Sequence, residues 1–141
     1  MSIAYQLEPD LSVADFQQVL IASTLGQRRP IDDPVRMEAM LRNADVIVTA
    51  RDMAAGGAGR LVGVSRAISD RAFATYLSDL AVDEAYQGQG IGKQLIEHTH
   101  RAAGLMTTLY LVAAPAAETY YPKIGMTHNP ACWKIPSERW P

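Results

Sequence analysis

An α/β (α+β) fold, a mixed central β-sheet with helices on its faces, is the architecture this sequence predicts. Three observations predict it. Short β-branched segments alternate with segments of helical periodicity. The central strand candidates are joined by connections short enough for antiparallel pairing. One long helix then separates two further strand candidates, as a parallel crossover requires. The chain has 141 residues, the usual size of one domain, so residues 1–141 are expected to fold as a single unit.

The elements follow in order. Ile3 to Leu7 alternates apolar and polar residues and predicts a strand, broken by Pro9-Asp10. Ser12, with Asp15 three residues on, predicts a capped helix whose apolar face carries Val13, Phe16, Val19 and Leu20. Gly26 suits its stop, and Gln27 to Ile31 reads as a loop. Asp32-Asp33-Pro34 opens a second helix with an acidic cap and a first-turn proline; Met37, Met40 and Leu41 form its stripe. Val46 to Ala50 is a β-branched strand. The Gly56–Gly59 turn joins it to a strand beginning at Leu61, which makes a hairpin. Phe73 to Val82 is a long strand candidate, and Asp83 to Gly90 a loop. Ile91 to Ala103 has helical spacing, with Gly104 where a helix ends. Leu109 to Ala114 is a strand, Ala116 to Ile124 a short helix before Gly125, and Ala131 to Ile135 a last strand candidate.

Composition narrows the function. Hydrophobic residues make up 48% and charged residues 20%, ordinary globular values. The net charge is −2 and the longest basic run is Arg28-Arg29, which reads as a solvated turn; no nucleic-acid partner is expected. The lone cysteine, Cys132, lies in a short apolar stretch and is expected to be a buried structural thiol. Met1 to Asp10 lacks a basic-then-apolar leader pattern, and no apolar run approaches the roughly 18 residues of a membrane span. A soluble cytoplasmic protein without a membrane partner is the expectation. His98 and His100 stand two apart on a helix and do not share a face, so no metal site is expected; His128 is expected at the surface.

The chemistry concentrates in Gln87-Gly88-Gln89-Gly90-Ile91-Gly92, between a strand and a helix. The first amides of a helix have no internal partner, and its dipole places positive charge there. Glycines let several amides converge on one phosphate. No Ser, Thr, Asp or Asn stands before Ile91 to cap the helix, so a phosphate would complete it. A dinucleotide loop, G-x-G-x-x-G, fails because Lys93 occupies the third glycine position counted from Gly88. A Walker loop fails because Gln87 replaces its first glycine and Gln94 its Ser/Thr. A nucleotide-binding protein is disfavoured accordingly.

The pattern that fits is Q-x-x-G-x-G, read as Gln87, Gly90 and Gly92. With Leu80 to Ile96 around it, this resembles motif A of the GNAT superfamily of N-acetyltransferases. Ala117-Glu118-Thr119-Tyr120-Tyr121-Pro122-Lys123-Ile124-Gly125-Met126 is similar to that family's motif B, A-x-x-F-Y-x-K-x-G-F. It departs at Tyr120, Pro122 and Met126; proline is tolerated only near a first turn or a kink. The resemblance implies a sheet of six to seven strands flanked by about four helices. It implies acetyl transfer from acetyl-CoA, the co-substrate, to a small-molecule or peptide amine, by direct attack in a ternary complex. The backbone of Leu80, Ala81 and Val82 would hold the pantetheine. The amides of Gly88, Gln89, Gly90, Ile91, Gly92 and Lys93 would hold the pyrophosphate, with Gln87 orienting the loop. Tyr121 would face the cofactor sulfur and protonate the departing thiolate.

The base is open at this stage. Asp79 could take the amine proton, or Tyr76 or Ser78, on the opposite face of a regular strand, could order a water. A non-catalytic acyl-CoA-binding or sensor module of the same fold is the alternative reading. The sequence leaves the acceptor, the acyl length and the choice between monomer and homodimer open.

Overall fold

The computed structural model describes residues 2–141. Five strands form one sheet in chain order: β1 (Ile3–Leu7), β2 (Val46–Asp52), β3 (Arg60–Ser69), β4 (Ala74–Val82) and β5 (Thr108–Leu111). The first three pairings are antiparallel and β4–β5 is parallel. Helices α1 (Val13–Ala22) and α2 (Pro34–Arg42) separate β1 from β2. Helix α3 (Ile91–Ala103) makes the parallel crossover, and the short α4 (Tyr120–Lys123) follows β5.

Local chemistry fixes the helix starts. The Ser12 hydroxyl accepts from the Asp15 amide at 3.1 Å, and the Asp33 carboxylate accepts from the Arg36 amide at 3.0 Å. Pro34 sits in the first turn of α2, where its missing N–H costs nothing. After α1 the chain makes a 3-10 turn, Leu25–Arg28, rather than an open loop.

The sheet buries both faces. Val46, Val48 and Ala50 of β2 pack with Ile91, Leu95 and Ala103 of α3. The alternate residue Ile47 packs with Phe16, Leu20, Met37 and Leu41 on the α1–α2 side. Register shifts at Ala50/Arg51 and Arg66/Ala67 add one residue to each neighbouring strand, Val62 and Ser78. The second shift lies beside the site.

The structure corrects several expectations. Among the described residues five strands form, not six or seven, because Ala131 to Ile135 stays outside the sheet. A short apolar run alone does not make a strand; a ladder partner is needed, and Pro130 and Pro136 bracket this segment. Cys132 is consequently exposed rather than buried. β5 ends at Leu111, not Ala114. The expected helix from Ala116 to Ile124 divides into a 3-10 turn, Pro115–Ala117, and α4. Pro122 explains the division: without an N–H it cannot bond the Glu118 carbonyl, so the helix begins at Tyr120 and the proline lies in its first turn.

Candidate active site

β4 is longer than its partner. Its pairing with β5 runs from Ala74↔Thr108 to Leu77↔Leu111 and stops. Ser78 is the unpaired residue of the register shift, and from Asp79 to Val82 the strand is paired only to β3. The strands part there, leaving a groove of about 400 Å³. Ser78, Leu80 and Val82 form one wall, Val112, Ala114 to Ala117 and Tyr121 the other, and Ser23 to Leu25 with Gln27 to Arg29 close one end. A strand edge without a neighbour offers backbone donors and acceptors to an extended ligand.

The other end of the groove leads to the glycine loop. The Asp83 amide donates to Val62 of β3 at 2.8 Å. A trans peptide points the preceding carbonyl, that of Val82, the opposite way, toward the groove. Gln87 Nε2 donates to that carbonyl at 3.0 Å, tying the loop to the strand end. Asp83 accepts from the Ala85 amide at 2.9 Å and pairs with Arg60 at 3.1 Å, which steadies the turn before Gln87.

The three glycines serve different needs. Gly88 and Gly90 have φ of 79° and 83°, in the left-handed region, and a Cβ at either would meet open space. Gly92 has ordinary helical geometry, but a Cβ there would lie 2.6 Å from the Tyr120 hydroxyl oxygen. α3 has no side-chain cap and no acid in its first turn. Its first internal bond runs from the Gln94 amide to the Gly90 carbonyl at 3.1 Å, so the amides of Ile91, Gly92 and Lys93 find no acceptor within the helix. The Lys93 amide meets the Tyr120 phenol oxygen, which opposes the rise that burial imposes on the Tyr120 pKa. An uncapped start with curled glycines and a lysine fits a pyrophosphate.

Tyr121 projects into the groove from α4. The turn behind it is closed by Ile124 and Met126 amides on the Tyr121 carbonyl, at 3.2 and 3.1 Å. Its ring meets Tyr120 edge-on, centroids 5.3 Å apart. Burial first, and the neighbouring Tyr120 second, push its phenol above its ordinary value, so it holds its proton at neutral pH.

Asp79 is elsewhere. It is fully buried on the α1–α2 side, with one carboxylate oxygen on Arg29 and the other on Arg66. A base must reach the proton it takes, and both oxygens of Asp79 are occupied away from the groove. It is a positioning residue: it fixes Arg29, whose Nη2 also donates to the Ser78 carbonyl at 2.8 Å. Of the two water-ordering candidates, Ser78 lines the groove, where its hydroxyl accepts from Arg66 Nη2 at 3.0 Å and keeps its own O–H to donate, while Tyr76 lies where β4 is still paired with β5. Arg28-Arg29, read from the sequence as a solvated turn, stands on the groove wall. Its one sequence signal is position: it joins two helices whose apolar faces must both sit on the sheet.

The histidines are occupied or remote. His98 stacks on Tyr5 with centroids 4.9 Å apart, His100 Nε2 lies 2.7 Å from the Thr107 carbonyl, and His128 is exposed. No cluster of metal-ligating side chains occurs among the described residues.

The free strand edge thus opens onto an uncapped, glycine-lined helix start, a groove for an extended ligand that ends in an anion site. Residues 42–126 match the acetyltransferase (GNAT) domain family, and the chain belongs to that family. It is 32% identical over 120 residues to GCN5-related N-acetyltransferase 2, chloroplastic, of Arabidopsis thaliana, covering 73% of this chain and 45% of that protein. It is 37% identical over 94 residues to histone acetyltransferase TAP1 of Glycine max, covering 62% of this chain and 39% of that protein. The chain thus spans less than half the length of these curated relatives. Among solved structures it superposes on SA2161, a probable acetyltransferase of meticillin-resistant Staphylococcus aureus, with a TM-score of 0.74 at 24% identity, covering 95% of this chain and 97% of that one. An acetyltransferase of the GNAT family from Streptococcus pneumoniae gives 0.71 at 20% identity, covering 97% and 100%. At these identities the likeness is one of fold.

Proposed function

We propose that the protein is an acetyl-CoA-dependent N-acetyltransferase that acetylates a primary amine by direct attack in a ternary complex. The observation that carries this reading is the continuous path from the free edge of β4, past Gln87, to the uncapped start of α3, with Tyr121 on the opposite wall. The edge from Leu80 to Val82 would hold the pantetheine, and the amides from Gly88 to Lys93 the pyrophosphate. The thioester supplies an activated acetyl carbon.

In the transfer the amine nitrogen bonds to that carbon and the carbon–sulfur bond breaks. Tyr121, kept protonated by its burial, gives its proton to the leaving sulfur. Ser78 orders a water that accepts the amine proton, in place of Asp79. Backbone donors on the open edge of β4 stabilise the oxygen as it becomes negative.

Release of free thiol from acetyl-CoA with a panel of primary amines, read beside calorimetric binding of coenzyme A, tests the reading. Thiol release that depends on amine, with mass-verified acetylated product, is expected. Tight coenzyme A binding with no release for any amine would instead make the protein an acyl-CoA-binding module.

A further inference from the structure

The transfer chemistry leaves the cation at the far end of the groove unexplained. The loop that carries it is built stiffly. Thr24 takes a φ of 72°, a left-handed conformation that strains a β-branched residue. Gly26 is buried against the end of α1, where a Cβ would lie 3.3 Å from the Leu20 carbonyl. The Leu25 amide donates to the Ser23 hydroxyl at 3.2 Å. Arg29 is held by Asp79 and Ser78, and its Nη1 donates to the Arg28 carbonyl at 2.8 Å. Arg29 therefore fixes the backbone from which the Arg28 side chain leaves.

The Arg28 guanidinium itself is exposed on the groove wall and makes no hydrogen bond or ion pair among the described residues. Among the described residues no Asp or Glu lines the groove. Behind the wall, one carboxylate, Asp79, faces two guanidiniums, Arg29 and Arg66, leaving one net positive charge; Arg28 adds a second. The donor's phosphates do not account for these charges. Arg29 is pinned at Ser78 and Gln87 at Val82, four residues apart on one strand, which at about 3.3 Å per residue places them roughly 13 Å apart.

We infer that the acceptor is a small amine that also carries an anion, and that Arg28 binds that anion. This deepens the acetyl-transfer reading and rests on it. A planar fork of donors suits a carboxylate or a phosphate equally, as in an amino acid or a phosphorylated amino alcohol. A polyamine, or a lysine in a basic peptide, would meet two positive charges with no acid to offset them.

Matched amines test it with acetyl-CoA: amino acids against their amides, phosphoethanolamine against ethanolamine, and spermidine. kcat/KM is expected to be at least tenfold higher for the anionic member of a pair, and the two pairs separate carboxylate from phosphate. Arg28→Gln should lower kcat/KM of the anionic member at least tenfold more than that of its neutral counterpart, through the KM of the amine rather than that of acetyl-CoA. Arg28→Lys should restore part of the difference. Preference for spermidine, an equal loss for both members of a pair, or a rise confined to the acetyl-CoA KM would each overturn the assignment. Calorimetric titration of the coenzyme A complex with the same pairs supplies the second readout. Arg28-dependent binding of the anionic member without turnover would refute transfer and keep the anion site; turnover without anion preference would do the reverse.

Discussion

Gly92 sits within the first turn of α3, where alanine would ordinarily help a helix, yet its missing side chain is occupied space. The Tyr120 hydroxyl fills it, 2.6 Å from where a Cβ would stand. Gly92→Ala is therefore expected to displace Tyr120, lower the melting temperature and weaken coenzyme A binding. Adding Tyr120→Phe should recover most of the stability, because the remaining ring carbon lies 3.4 Å away; equal melting temperatures for the single and double variants would sink the explanation. Tyr121 makes a different demand. If it is the acid, Tyr121→Phe should lower kcat roughly a hundredfold, within the usual range for a lost acid, and leave coenzyme A affinity within about twofold. Unchanged turnover would remove the role. Asp79 is a matter of charge balance. Asp79→Ala strands two guanidiniums, Arg66 itself buried, and should cost about 3–5 kcal/mol in urea unfolding. The sequence shows Asp79 on the strand just ahead of Leu80. It could not show that residues 29 and 66 converge on it, because both contacts cross strands and loops far apart in the chain.

Elements were legible where their signals are local. β1 and α3 have the expected bounds because Pro9-Asp10 and the flanking glycines, Gly90 and Gly104, are punctuation that the chain supplies itself. The caps Ser12 and Asp33 are equally local, and Ser12→Ala should destabilise by about 1 kcal/mol, with no loss expected from Thr as replacement. The parting of β4 from β5 has no signature in periodicity, since burial along β4 alternates without interruption from Thr75 to Val82. Segment 131–135 reads as a strand from its short apolar run, but pairing is a property of two segments. Trp133 is left 92% exposed. The register shift that makes Ser78 an extra residue also has no sequence signature, although it frees the carbonyl that Arg29 takes.

At the scale of the molecule, the two cores lean on one sheet, and the N-terminal side of that sheet is tied by a polar cluster as well as by packing. Glu8, just past β1, accepts from Arg51 of β2 at 2.6 and 2.9 Å and from the Thr49 hydroxyl at 2.6 Å. Arg51 reaches on to the Gly59 carbonyl at 3.1 Å and lies 4.0 Å from Asp15 of α1. One guanidinium, held by Glu8, thus joins the strand edge, the β2–β3 turn and the first helix. The Arg51 guanidinium, ahead of the Thr49 and Gln6 bonds and against the opposing effect of burial, lowers its pKa from an ordinary 4.5 to about 2. A carboxylate whose folded pKa is depressed adds stability above its unfolded pKa and loses it as the proton binds. The Glu8 contribution should therefore be complete above about pH 4.5 and fade as pH falls toward about 2. Asp52 and Asp70 are also lowered, by the Tyr86 hydroxyl and by the Phe73, Ala72 and Ala74 amides, so the whole protein will lose stability on acidification for several reasons. The difference between wild type and Glu8→Gln isolates this one. Urea unfolding of both, from pH 7 to pH 2, should show wild type more stable at neutral pH and the gap closing below about pH 4.5. A gap that stays constant across that window would mean the cluster acts through shape alone, with the charge on Glu8 contributing nothing.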